Sequence, residues 1–127
     1  MKLHEGVAQD LNLVRSWSAD GLRVGGALLP LPCLLAAREL KAPWPAALAW
    51  DTLAAALDEI LALEPRLLLI GTGSRQRFAP AALRQRCESR GVAVECMDGA
   101  AACRTYNVLV QEERAVVLLA MPDNMAG

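Results

Sequence analysis

The sequence predicts an α/β protein of one domain, with helices packed on a sheet and a β-hairpin near its start. Three observations carry that expectation. Residues 66–120 alternate strand, helix, strand, helix and strand, an order that implies right-handed crossovers and helices lying on a sheet. Leu67-Leu68-Leu69-Ile70 is apolar throughout, as parallel strands covered on both faces are. Earlier in the chain, Leu13, Arg15 and Trp17 alternate, Asp20-Gly21 offers a turn, and Leu22 and Val24 return.

Length and charge narrow the class. A chain of 127 residues fits one domain and buries roughly two-thirds of its unfolded surface. The domain is expected to span 1–127, with an ordered core over 11–121, loose packing in 1–10 and a mobile tail after Pro122. A net charge of −1 creates no field for nucleic acid or an anionic membrane. The charge is uneven: residues 66–90 hold six arginines against one acid, Glu88. Arg84, Arg86 and Arg90 read as a solvated helix face. Cysteines 33, 87, 96 and 103 form no Cys-x-x-Cys pair and share the chain with a single His, so neither a zinc site nor a cofactor is expected. They read as small buried hydrophobes, reduced in a reducing compartment. No secretory signal opens the chain. The longest uncharged apolar run, Val24 to Ala37, contains two prolines and falls short of the ~20 residues that span a bilayer. The expectation is a cytoplasmic protein.

The remaining elements follow in order. Gly25-Gly26 allows a bend before a third strand, Ala27–Leu31, which Pro30 and Pro32 keep short or at an edge. Cys33–Leu40 reads as a strand or a helical turn, with the strand preferred. Ala42-Pro43-Trp44-Pro45 breaks regular structure, and Trp44 and Trp50 read as lids on the core. Asp51 or Thr52 is expected to cap a first helix ending near Pro65, with Leu53, Leu57, Ile60 and Leu61 on one stripe. Pro80 suits the first turn of a second helix reaching about Arg90, where Gly91 suits the left-handed position. Val92–Cys96 is the next strand. Asp98 is a natural cap for a third helix carrying Ala102, Tyr106, Leu109 and Val110, and Ala115–Ala120 closes the fold.

Specific chemistry concentrates after the two parallel strands. Gly71-Thr72-Gly73-Ser74-Arg75 follows a buried strand, where small residues let backbone N–H groups approach an anion. Arg75 and Arg77 would add charge, and the second helix its dipole. The dinucleotide fingerprint fails at Gln76, and no Gly-Lys-Ser/Thr follows. Asp98, Cys103, Arg104, Thr105, Tyr106 and Asn107 form the second group. Cys103 near a helix start is a candidate for a lowered thiol pKa, yet no His stands nearby. The Cys-x5-Arg loop fails from both Cys96 and Cys103, and Ser74 lacks the Gly-x-Ser-x-Gly elbow. No catalytic set is complete.

Leu-Leu-Leu-Ile-Gly-Thr-Gly-Ser-Arg-Gln-Arg-Phe (67–78) and Val-Glu-Cys-Met-Asp-Gly-Ala-Ala-Ala-Cys-Arg-Thr-Tyr-Asn-Val-Leu (94–109) resemble the two signature segments of a family of small uncharacterised domains. The family includes bacterial and archaeal proteins and mitochondrial respiratory complex I assembly factor 3. The likeness extends over nearly the whole chain. It implies a single three-layer domain with a central mixed sheet and a β-hairpin element. For function it implies little beyond the mitochondrial member, a non-enzymatic assembly factor that binds a partner protein, and on that likeness a binding or assembly module is favoured. Gly99-Ala100 stands where the family has Thr-Gly, which loosens a functional claim for that loop's backbone. The lack of a transit peptide fits a bacterial cytoplasmic form. The alternative is a small enzyme or binding protein for an anionic metabolite or nucleotide, which would need Arg75, Arg104 and Asn107 to converge on a pocket.

Overall fold

Two sheets share the work. In the computed structural model, which describes residues 11–123, β1 (Val14–Ser18), β2 (Gly21–Val24) and β3 (Ala27–Leu29) form an antiparallel meander. Residues 1–10 and 124–127, on which the expectations of loose termini fall, lie outside the described part. The hairpin forms one residue earlier than expected. Ala19 and Asp20 make the turn, and Ser18 pairs with Gly21, the first residue of β2. Gly21 is needed for space and for backbone freedom: its φ is +149° and any Cβ would run into the Leu29 carbonyl. β3 is short and outermost, as Pro30 and Pro32 require.

The ambiguous stretch after Pro32 is a second hairpin, β4 (Cys33–Ala36) and β5 (Glu39–Lys41). Asn12 ties its turn, donating from N–H to Ala37 O (2.9 Å) and from Nδ2 to the carbonyls of Ala36 and Glu39 (3.0 Å each). β4 then pairs antiparallel with the last strand, which puts the hairpin in the main sheet.

The first helix is broken. A 3-10 turn (Pro45–Leu48) precedes α1 (Trp50–Ala55) and α2 (Leu57–Leu61), with Ala56 at φ −100°, ψ 10° between them. Neither Asp51 nor Thr52 caps it; the N-cap is Ala49, and the Thr52 hydroxyl turns back to Ala46 O and Ala49 O. At the break, the Ala54 carbonyl accepts from Arg86 Nη1 at 2.8 Å. The stripe of Leu53, Leu57, Ile60 and Leu61 is buried across the kink.

The α/β unit follows the expected order: β6 (Leu67–Gly71), α3 (Ala81–Glu88), β7 (Ala93–Met97), α4 (Gly99–Gln111) and β8 (Val116–Ala120). Gly91 takes φ +78°, and Val92 N–H returns to Cys87 O (3.0 Å), closing α3 as the Pro80–Gly91 spacing predicts. The main sheet runs β5-β4-β8-β6-β7, with β6 parallel to both neighbours. At the β7 edge, Arg84 Nη1 takes Val94 O (2.8 Å) and Gln76 Nε2 takes Cys96 O (2.7 Å). Arg84 and Arg86, read as a solvated helix face, also satisfy backbone carbonyls: Arg84 and Gln76 cover outward acceptors of the edge strand, and Arg86, still exposed, takes Ala54 O in α1.

Side chains alternate across this sheet into two cores. Leu68, Ile70, Val117 and Leu119 meet α1–α3 with Trp44 and Trp50, which do cover the core. Leu69, Leu118, Cys33 and Leu35 meet α4 and the meander. The result is three layers around a mixed sheet. Leu69 sits at the centre of the second core with no exposure. Leu69→Ala should destabilise the protein by about 3 kcal/mol, a lost-contact-plus-cavity cost, read as a lower urea midpoint at unchanged slope.

Candidate functional site

The two signature segments meet at the C-terminal end of β6 and β7, where open α/β sheets carry their sites. Thr72 N–H donates to Met97 O (2.8 Å) and Gly99 N–H to Gly73 O (2.6 Å), so the loops are stitched backbone to backbone. The contact requires small residues. A Cβ on Gly71 would lie 3.2 Å from Ala102 Cβ, and one on Gly99 would enter the Trp17 indole.

Within the first loop, polar groups are largely spent on the chain itself. The buried Thr72 hydroxyl donates to Arg75 O (2.7 Å) and accepts from Arg77 N–H (2.9 Å), closing the loop. Gly73 at φ +89° turns Ser74 toward Asp123, whose Oδ1 accepts from Ser74 N–H (2.5 Å) and Ser74 Oγ (2.8 Å). Arg77 Nη2 adds a bond to Asp123 O (3.1 Å). The Ser74 N–H and hydroxyl hold the Asp123 carboxyl below its ordinary range, with smaller help from Arg77 and Arg75. An anion does sit on this loop, and it is the chain's own carboxylate. Arg75 is exposed.

The second segment is a joint. Asp98 caps α4 as expected, accepting from Ala101 N–H at 2.9 Å. Tyr106 is fully buried and its hydroxyl donates to Asn12 O (2.7 Å). Asn107 pairs with β1 as a strand would: its Oδ1 accepts from Val14 N–H (2.9 Å) and its Nδ2 donates to Val14 O (2.7 Å). Thr105 leans its hydroxyl on Met97 Sδ (3.5 Å). Cys103 is buried, and that burial pushes its thiol up to about 12, Arg104 opposing only weakly. The lowered pKa that a nucleophile needs is absent, because desolvation by burial dominates. Cys33, against the same core, is also pushed up to about 12 by burial.

Arg75, Arg104 and Asn107 do not share one pocket. Arg104 and Asn107 line a groove of about 240 Å³ between α4 and β1, with Cys103, Arg15 and Trp17, and Arg75 is not part of it. The Trp17 indole N–H is buried beside Gly99 with no hydrogen-bond partner among the described residues. Sequence reasoning missed Asn12, Val14, Arg15, Trp17 and Asp123 as members of this region. Their contacts span from 49 to 94 residues or come from an unpatterned tail, so no local spacing signals them. No group of three or more metal-ligating side chains occurs among the described residues.

The thiol shifts set a pH dependence. With folded values near 12 against an ordinary 9.0, Cys33 and Cys103 keep their protons longer folded than unfolded. Their contribution is complete below about 9 and is lost as pH rises toward 12. Urea midpoints should therefore fall between pH 9 and 11, and the fall should shrink in Cys33→Ala/Cys103→Ala; an unchanged slope in that variant would contradict the assignment.

Comparison with known proteins agrees with this architecture. A solution structure from Xanthomonas campestris is similar at TM-score 0.78 and 35% identity, covering 88% of this chain and 85% of that one. Complex I assembly factor 3 of Danio rerio is 30% identical over 118 residues, 87% of this chain and 64% of that protein. A Francisella tularensis protein named 13 kDa major membrane protein is 43% identical over 60 residues, 47% of this chain and 49% of that one. The chain thus spans about half to just under two-thirds of these curated relatives. No helix among the described residues is long and apolar enough to cross a membrane. With a family profile matching residues 14–121, the chain belongs to the family described as protein of unknown function, DUF498/DUF598.

Proposed function

We propose that the chain is a non-catalytic binding and assembly module that presents the loop end of its main sheet to a protein partner. One observation carries the reading: apart from the outward Arg75 and Arg104, the polar side chains singled out in the two signature segments are hydrogen-bonded within the chain. Thr72, Ser74, Asp98, Tyr106 and Asn107 are hydrogen-bonded within the chain, and Cys103 is a protonated, buried thiol. What faces outward is the material of recognition: Arg75, Arg104 and Phe78, the last 73% exposed. Arginine and aromatic side chains are the residues that most often anchor protein interfaces.

Likeness to complex I assembly factor 3 supports an assembly-type role. That factor's own partner is not carried over, since the chain covers only part of it. The anionic-metabolite alternative gains no observation over this one, because Asp123 already holds the Ser74 donors and Arg75 stands apart from the Arg104 groove. A cytoplasmic location belongs to the same proposal, and the membrane name of the Francisella protein is what weighs against it.

Quantitative affinity capture in the source cell tests the role. Wild-type bait should enrich one or a few proteins near stoichiometry, and a variant with Arg15, Arg75, Phe78 and Arg104 all changed to Ala should lose them by at least roughly tenfold, about 1.4 kcal/mol. Equal recovery on both baits overturns the proposal. So does a phosphorylated metabolite that raises the melting temperature of wild type but not of Arg75→Ala.

A further inference from the structure

The groove between β1 and α4 has features that the architecture does not use. Its walls come from different elements, Val14–Trp17 on one side and the first turns of α4 on the other. Each wall carries an exposed arginine, Arg15 and Arg104. Neither has an ion-pair partner among the described residues, where the pairs are Lys41–Glu59, Arg84–Glu88 and Arg114–Glu112. Two like charges facing one narrow concavity repel, and a carboxylate between them removes that repulsion.

The backbone along the groove adds a second requirement. Asn107 already takes the outward N–H and C=O of Val14, so α4 carries a one-residue imitation of a neighbouring strand. The two-residue turn makes Ser18–Gly21 the closing hydrogen-bonded pair of the hairpin, and alternation then turns the N–H and C=O of Trp17 away from β2. An edge half-capped by a carboxamide and open one step further suits an extended peptide, whose main chain continues the ladder. The groove, about 240 Å³, can seat part of an extended segment but not a folded surface.

We propose that this groove receives a short, extended, acidic segment of the partner protein, laid along β1 with its carboxylates between Arg15 and Arg104. The proposal rests on the partner-binding role above and names the chemistry of the partner. Arg75 and Phe78 form a separate part of the surface; there, Asp123 has already taken the Ser74 donors.

Titration of the full chain with the blocked pentapeptide Glu-Val-Glu-Val-Glu, followed by amide and indole NMR signals, tests it. The expected result is saturable shifts at Arg15, Trp17 (including its indole N–H) and Arg104, weakened by salt. The shifts should be absent with the Gln-Val-Gln-Val-Gln peptide, and affinity should fall at least roughly tenfold in Arg15→Glu/Arg104→Glu. A peptide that moves only Ser74–Arg77 signals, or none, overturns the proposal. Inorganic phosphate that reproduces the shifts makes this a small-anion site and overturns it too. Concentration-dependent groove shifts without peptide, or contacts from residues 1–10 to Arg104 in the free chain, would assign the groove to a second copy or to the chain itself, against the proposal. If the four-site variant loses its cellular partner while Arg15→Glu/Arg104→Glu keeps it, the binding role stands and the groove assignment falls.

Discussion

A single carboxamide holds the two halves of this protein in register. Asn107, on the middle of α4, pairs both of its polar atoms with Val14 on β1, across 93 residues of sequence. Tyr106 beside it reaches Asn12, and Asn12 in turn ties off the β4–β5 hairpin. These bonds, half-buried except for the exposed one to Glu39 O, fix the meander on α4 and hence on the second core. Removing one partner would strand a backbone N–H and C=O, each costing about 1–3 kcal/mol unpaired. Without this joint, Leu22 and Val14 lose the surface against which they are buried.

The same economy explains the loop end of the sheet. Glycines make the approach possible: a Cβ on Gly99 would enter the Trp17 indole, one on Gly73 would run into Asp123, and one on Gly71 would crowd Ala102 at 3.2 Å. Thr72 and Asp123 then consume the donors that such a loop exposes. A loop built this way is largely satisfied within the chain, and what it leaves outward is Arg75 and Phe78. The groove beside β1 differs from it. There neither arginine has an ion-pair partner among the described residues, and the edge is incompletely capped.

Much of this was legible from local pattern. Asp98 as a cap, Gly91 as a helix stop, and the all-apolar β6 each depend on residues within a few positions, and local rules read them correctly. The errors have a common origin in partners distant in sequence. The first helix breaks at Ala56, where Arg86, 32 residues away, takes the Ala54 carbonyl. The hairpin turn shifts by one residue because Gly21 is required beneath Leu29, not in the turn. The Arg84 and Gln76 bonds to the β7 edge are invisible for the same reason. In the site itself, Tyr106 and Asn107 were singled out for their chemistry, and the partners they bond, Asn12 and Val14, lie too far off in sequence to be read locally.

Native-state hydrogen exchange tests the central claim that α4 locks the meander to the main sheet. The amide of Val14, whose acceptor is the Asn107 side chain, should exchange with an opening free energy close to that of Leu69 in β6, because both are released only by cooperative unfolding. A Val14 amide that exchanges through a local opening several kcal/mol cheaper than Leu69 would show that the meander swings free of α4, and the account would be wrong.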